Sequence, residues 1–193
     1  NYAWVKYPNT NKWGLIDKND SVIIPFENDF VRYDFAKLYQ ISKSGEIGLY
    51  DVLGHRVTSF KYHKVYSFKN GFAKVCIDNK WGLIDRNFNE ISSIIYDSIS
   101  DYIDSPLQVC INNLHGFIDL KGNQVIPCKY QKVSTFQSGL SLVKLNDKYG
   151  YIDKTGKIVI PIKYEDAESI DILDGLATVK NGEDWIQMDR KGA

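Results

Sequence analysis

The sequence predicts an all-β protein made of tandem repeats of about 34 residues, and three observations carry that expectation. A short motif recurs: Lys12-Trp13-Gly14-Leu15-Ile16-Asp17 returns as Lys80-Trp81-Gly82-Leu83-Ile84-Asp85 and as Lys148-Tyr149-Gly150-Tyr151-Ile152-Asp153. Its spacing is constant. With the weaker copies at Ile47-Gly48-Leu49-Tyr50-Asp51, His115-Gly116-Phe117-Ile118-Asp119 and Trp185-Ile186-Gln187-Met188-Asp189, the copies start at 13, 47, 81, 115, 149 and 185, a step of 34 four times and then 36. The composition suits strands: aromatics make up 13% of the 193 residues, and Val, Ile and Tyr are plentiful.

Each element follows from the clearest unit, Gly139 to Tyr164. Leu140 to Leu145 reads as a strand, Asn146-Asp147-Lys148 as a tight turn and Tyr149 to Asp153 as a second strand. Lys154-Thr155-Gly156 is a second turn and Lys157 to Pro161 a third strand, followed by a corner containing Tyr164. The same corner recurs at Tyr62, Tyr96 and Tyr130, and Pro25, Pro127 and Pro161 each close an Ile-rich run. A linker of about ten residues from Tyr164 to Gly175 leads to the next unit, with one short helical turn conceivable over Glu165–Leu173. Residues 1–193 thus form a single array with approximate units 1–36, 37–70, 71–104, 105–138, 139–174 and 175–193. The last unit stops where its third strand should begin, while Tyr2-Ala3-Trp4-Val5 gives the first unit its opening strand. The expected architecture is therefore three-stranded antiparallel meanders stacked as an open, curved array in a parent chain that continues, with a closed propeller-like ring as the alternative.

The Trp-Gly-Leu-Ile-Asp core, followed by Lys-x-Gly-Lys and Ile-x-x-Pro-x-x-Tyr, resembles the WG-repeat family. The match is fullest at Trp13-Gly14, Trp81-Gly82 and Tyr149 to Tyr164, and the period extends it over nearly the whole chain. The resemblance implies a β-rich, mostly bacterial protein whose motif is structural and supplies no catalytic residues. Ile47 and His115 depart from it at the Trp position, and Ile186 departs at the Gly position.

Six in-register carboxylates, Asp17, Asp51, Asp85, Asp119, Asp153 and Asp189, invite a reading as calcium ligands. They fit better as turn residues, because Asp accepts a hydrogen bond from an amide two residues on, and Gly54, Gly122, Gly156 and Gly192 follow three residues later. No Asp-x-Asp-x-Asp run brings several oxygens to one loop, so no metal is expected. The motif glycine sits mid-strand, which points to a bulge or a close backbone contact. The aromatics at the motif's first position share a face with the residue two places on and are expected in the inter-unit core. An exposed row of them would instead form a platform for sugar rings. The candidate binding residues are accordingly Trp13, Trp81, His115, Tyr149 and Trp185.

Cys76, Cys110 and Cys128 form no CxxC and are expected as reduced, mostly buried thiols, which leans toward a cytoplasmic setting without excluding secretion. His55, His63 and His115 have no metal-ligand spacing, and no nucleophile signature is present. No catalytic residue and no cofactor is expected. Lys plus Arg equals Asp plus Glu at 24 each, which argues against a nucleic-acid partner, and no run approaches the roughly 18 apolar residues of a membrane span. The leading expectation is a non-catalytic scaffold for a protein or peptide partner, with variable positions such as Lys74, Gln108, Leu142 and Thr178 diversifying its surface. Carbohydrate or cell-surface binding through the aromatics is the alternative. A regulatory domain of a larger enzyme or effector is a third.

Overall fold

A computed structural model describes residues 2–34, 37–101, 106–170 and 175–193. Among these residues every regular element is a strand, and the strands form six small antiparallel sheets in tandem. The chain divides into two compact units, Asn1–Ile94 and Ile95–Ala193.

In the first unit, the first sheet holds β1 (Tyr2–Tyr7), β2 (Lys12–Asp17) and β3 (Val22–Asn28). The second holds β4 (Phe30–Asp34), β5 (Leu38–Lys43) and β6 (Glu46–Asp51). The third holds β7 (Lys64–Val65), β8 (Phe72–Ile77) and β9 (Lys80–Asp85). In the second unit, the fourth sheet holds β10 (Ser98–Ile99), β11 (Leu107–Ile111), β12 (Leu114–Ile118) and β13 (Gln124–Tyr130). The fifth holds β14 (Lys132–Val133), β15 (Leu140–Leu145), β16 (Lys148–Asp153) and β17 (Ile158–Tyr164). The sixth holds β18 (Asp166–Ala167), β19 (Ala177–Asn181) and β20 (Asp184–Met188).

The expected three-stranded meander is complete in the first, fourth and fifth sheets, bridges stand in for its third strand in the second and third, and a further strand precedes it in the second to sixth. The expected linker after Tyr164 contains one, Asp166–Ala167, paired with Lys180 and Val179 of β19. The helical turn considered over Glu165–Leu173 is therefore a strand at Asp166–Ala167, and its end from 171 lies outside the described residues. The hairpins within sheets turn on two residues in left-handed conformation, such as Asp78-Asn79, Asn112-Asn113 and Asn146-Asp147. This mirror-image turn matches the twist of the strands it joins, and Asn and Asp tolerate it best.

The motif glycine sits opposite a bulge. In the fifth sheet Tyr149 faces Tyr164 and Tyr151 faces Ile160, so Gly150 alone spans Pro161, Ile162 and Lys163. The first and fourth sheets repeat this at Gly14 and Gly116. A Cβ on Gly150 would lie 2.7 Å from the carbonyl oxygens of both Ile160 and Pro161. Only glycine allows that approach. Proline suits the bulge because a residue outside the ladder loses nothing by lacking an N–H.

Packing within each unit follows the two-residue alternation of a strand. In the first unit Leu15 and Ile24 pack with Ile41 of the second sheet, and Leu49 and Tyr62 pack with Val65, Ala73, Val75 and Ile84 of the third. In the second unit Phe117, Ile126 and Tyr130 meet Val133, Val143 and Ile152 of the fifth sheet. Tyr151 and Ile160 then meet Ala177 and Val179 of the sixth. The Leu-Ile pair of the motif thus serves two interfaces: its first residue faces the next sheet and its second the preceding one. Leu142, expected on the variable surface, is instead core in the second unit with 2% exposure. It lies opposite Tyr151, on the face that the sixth sheet covers.

Candidate functional site

Each of the five candidate residues is the second residue of its strand: Trp13 on β2, Trp81 on β9, His115 on β12, Tyr149 on β16 and Trp185 on β20. Trp13, Trp81, His115 and Tyr149 are half-buried, whereas Trp185 is 49% exposed. In the first unit Trp13 and Trp81 form no continuous row, because Ile47 holds the intervening place and packs against the core.

Lysine ammonium groups stand over these rings. Lys6 Nζ lies 5.8 Å from the centroid of Trp13, Lys64 Nζ 5.8 Å and Lys74 Nζ 5.7 Å from Trp81, and Lys144 Nζ 5.5 Å from Tyr149. Cation–π attraction accounts for the arrangement, and cross-strand register supplies it where Lys6 faces Trp13 and Lys144 faces Tyr149. The ring faces of these three aromatics are therefore partly occupied. His115 differs, with Nδ1 lying 3.3 Å from Gln108 Nε2.

The best-formed aromatic patch is on the third sheet. Tyr66 packs on Trp81 with ring centroids 5.5 Å apart, and Lys74 Nζ also lies 4.9 Å from the Tyr66 centroid. Tyr66 is 48% exposed. Together with Lys64 it makes a patch of two aromatics and two positive charges within the first unit.

The six aspartates are turn residues. Asp17 Oδ1 accepts from the amides of Asn19 and Ser21 at 2.8 and 2.9 Å. Asp51, Asp85, Asp119, Asp153 and Asp189 repeat this, each accepting from the amides two and four residues on. Amide bonds to Ser21 and Asn19 hold the Asp17 carboxyl below its ordinary value. At Asp51 burial pushes upward, and bonds from His55 and Leu53 outweigh it. Each carboxylate spends one oxygen on its own turn. Among the described residues no cluster of three His, Cys, Asp or Glu side chains could hold a metal.

Two sets of residues escaped the sequence reading. One is a turn cap set just after the corner. Asp29 Oδ2 accepts from the Ser44 amide at 2.8 Å, His63 Nδ1 from Asp78 at 3.1 Å, Asp97 Oδ2 from Asn112 at 2.6 Å and Gln131 Oε1 from Asp147 at 2.9 Å. The four lie 34 residues apart, so the period was the available signal. The second set replaces the Ile before the bulge. Thr58 Oγ1 and Ser92 Oγ accept from the amides of Leu49 and Leu83 at 3.0 and 2.9 Å. In these two repeats Ser59 and Ser93 stand where the others have Pro, and isolated bridges such as Tyr50 to Arg56 and Ile84 to Glu90 replace a regular third strand.

The three cysteines are free thiols, Cys76 and Cys110 buried and Cys128 half-buried. Burial, with Cys110 nearby, pushes the Cys128 thiol up, away from the reactive thiolate.

The repeated sheets and their motif define the class. The pattern described as "WG containing repeat" matches residues 13–37, 47–81, 81–114, 116–149 and 149–185, and the chain belongs to that family. No curated protein matches it. Solved structures similar to it include a eukaryotic initiation factor, at 9% identity and a TM-score of 0.43 over 96% of this chain and 58% of that one. Virginiamycin B lyase from Staphylococcus aureus matches at 13% identity and a TM-score of 0.35, over 97% and 80% of the two chains. Hsv2 of Kluyveromyces lactis matches at 11% identity and a TM-score of 0.39, over 77% and 55%. The chain thus spans less than two thirds of the initiation factor and of that Hsv2 chain.

Proposed function

We propose that this chain is a non-catalytic scaffold that binds a protein or peptide partner. The observation that supports this most is the patch of Tyr66, Trp81, Lys64 and Lys74, where an exposed tyrosine is held by a half-buried tryptophan beneath two ammonium groups. Rigid aromatics beside cations suit the anchoring of a side chain in a binding core. The charges favour an acidic or aromatic segment.

The test is affinity capture with the wild-type chain beside Tyr66→Ala and Lys64→Glu, followed by titration of the identified partner. A partner that binds wild type at least tenfold more tightly than both variants supports the reading. Binding that ignores both substitutions, or glycan binding with no protein partner, overturns it. A carbohydrate reading retains one favourable observation, the exposed ring of Trp185. That reading requires Trp185→Ala to abolish glycan retention.

A further inference from the structure

One of the aspartate turns departs from its sisters. The turn's fourth residue is Gly54, Gly122, Gly156 or Gly192 in four repeats and Asp20 in the first, but Phe88 in the third. All six take the left-handed conformation, with φ of 60° at Asp20, 66° at Phe88 and 81° to 87° at the glycines. A bulky side chain opposes that conformation, because its Cβ crowds the following carbonyl oxygen. Phe88 keeps the turn nonetheless: its amide donates to the Asp85 carbonyl oxygen at 2.9 Å, as that of Gly54 does to Asp51 at 3.1 Å. Backbone strain of this kind concentrates at ligand sites and other working parts of a fold.

The sister turns leave little room at this position. A Cβ at Gly54 would lie 2.7 Å from Leu15 Cδ2, one at Gly156 3.2 Å from Ile126 Cγ1 and one at Gly192 3.6 Å from Ile160 Cγ1, so each of these turns rests on apolar side chains of the preceding sheet. The sheet before Phe88 has Thr58 in the place of Ile24, Ile126 and Ile160, and bridges in place of a regular third strand. That exchange removes bulk from the place the turn would rest on. Phe88 and Phe68 take up part of the space, packed edge to face with ring centroids 5.9 Å apart and planes at 88°.

The two rings do not close the gap. With Leu38 of β5, which is buried, and with Arg86 they line a hollow of about 230 Å³ that opens to solvent. All four residues belong to the first unit. A ring placed only to fill space would leave none, whereas here three apolar walls stand beside a cation. Arg86 is exposed, with its guanidinium 6.0 Å from the Phe68 centroid. Among the described residues no carboxylate forms an ion pair with it. Apolar walls favour a ring or a branched alkyl group, and a guanidinium at the rim favours a carboxylate, which it can meet with two parallel N–H donors. The volume is below that of a cofactor-sized site and suits one ring with its acid group.

We propose that Leu38, Phe68, Phe88 and Arg86 form a binding site for a small aromatic carboxylic acid, its ring against the two phenylalanines and Leu38 and its carboxylate on the Arg86 guanidinium. The proposal goes beyond the scaffold reading and does not rest on it.

Ligand-observed NMR titration of the full chain with phenylacetate tests it. Wild type should bind phenylacetate with a Kd of about 1–5 mM, the range for so small a ligand. Phenethylamine, with the same ring and the opposite charge, should bind at least tenfold more weakly. Arg86→Gln should weaken phenylacetate binding at least fivefold. Phe88→Gly gives this turn the residue of its sisters; it should keep the turn and lose saturable binding. Should Phe88→Gly fail to fold, Arg86→Gln decides alone. No saturable binding to wild type, binding unchanged in a folded variant, or equal binding of phenethylamine overturns the proposal. A peptide ending in a free Phe carboxylate that binds tenfold more tightly than phenylacetate puts the same chemistry on a partner chain and overturns the assignment to a free acid. Partner capture through Tyr66 is read separately, so each failure is distinguishable from the other.

Discussion

The hydroxyl of Tyr151 donates to the carbonyl oxygen of Thr178 at 3.1 Å and also to that of Glu168, tying a fully buried side chain of the fifth sheet to the backbone of the sixth. Leu and Phe fill the equivalent places in the other packed sheets, so this link belongs to one interface. Tyr151→Phe keeps the ring and removes both bonds. It should cost about 1–2 kcal/mol and lower the melting temperature by a few degrees. Burial also raises the Tyr151 pKa far above its ordinary 10.0. The sign follows: the folded state holds this proton longer than the unfolded state, so the contribution is whole below about pH 10 and is lost as pH rises beyond it. Ultraviolet titration should show one tyrosine that ionises only as the chain unfolds.

The turn aspartates give the opposite dependence. Asp17, Asp85, Asp153 and Asp189 all titrate below their ordinary 3.8, held there by hydrogen bonds of their own turns. Their stabilisation is whole above about pH 4 and lost as pH falls through the lowered folded values. Melting temperature should therefore drop steeply on acidification. Asp153→Asn keeps an acceptor for the amides of Thr155 and Lys157 but cannot titrate, so its drop should be shallower than that of wild type. A curve parallel to wild type would count against the turn assignment.

The caps after the corner make a local prediction. Asp97→Leu removes the acceptor for the Asn112 amide and leaves β11 and β12 intact. Hydrogen exchange at the turn Asn112-Asn113 should accelerate about five- to tenfold, the equivalent of one lost hydrogen bond. Asp97→Asn should keep most of the protection.

Tryptophan exposure separates the candidate residues. Trp185 is 49% exposed, while Trp13 and Trp81 are half-buried beneath lysines. Trp185→Phe should remove the component of fluorescence that acrylamide quenches most readily. The emission left behind should shift to shorter wavelength.

How much of this was legible in the sequence depends on how local each device is. The aspartate turns were legible because donor and acceptor lie two to four residues apart, and the glycine contact was legible as mid-strand cost needing a cause. The short strands Lys132–Val133 and Asp166–Ala167 were not, since two residues carry no alternation. The caps were hidden because Asp29, His63, Asp97 and Gln131 share an acceptor atom and not a residue type. At the motif's first position the sequence left core against platform open, and the structure sets it between them: half-buried with lysines over the rings in three sheets, and exposed at Trp185. That outcome depends on which cross-strand neighbour each ring receives, which period alone does not specify.

The central claim is that the repeat is a structural device, in which the motif glycine admits the bulge of the third strand. A melting series of single Gly→Ala variants tests it most directly. At Gly14 and Gly150 the new Cβ would meet backbone oxygens at 2.8 and 2.7 Å, whereas at Gly48 it would meet only the Phe60 ring at 3.4 Å. The account predicts losses of about 2–3 kcal/mol at Gly14 and Gly150 and well under about 1 kcal/mol at Gly48. Equal losses at all three positions, or a larger one at Gly48, would contradict it.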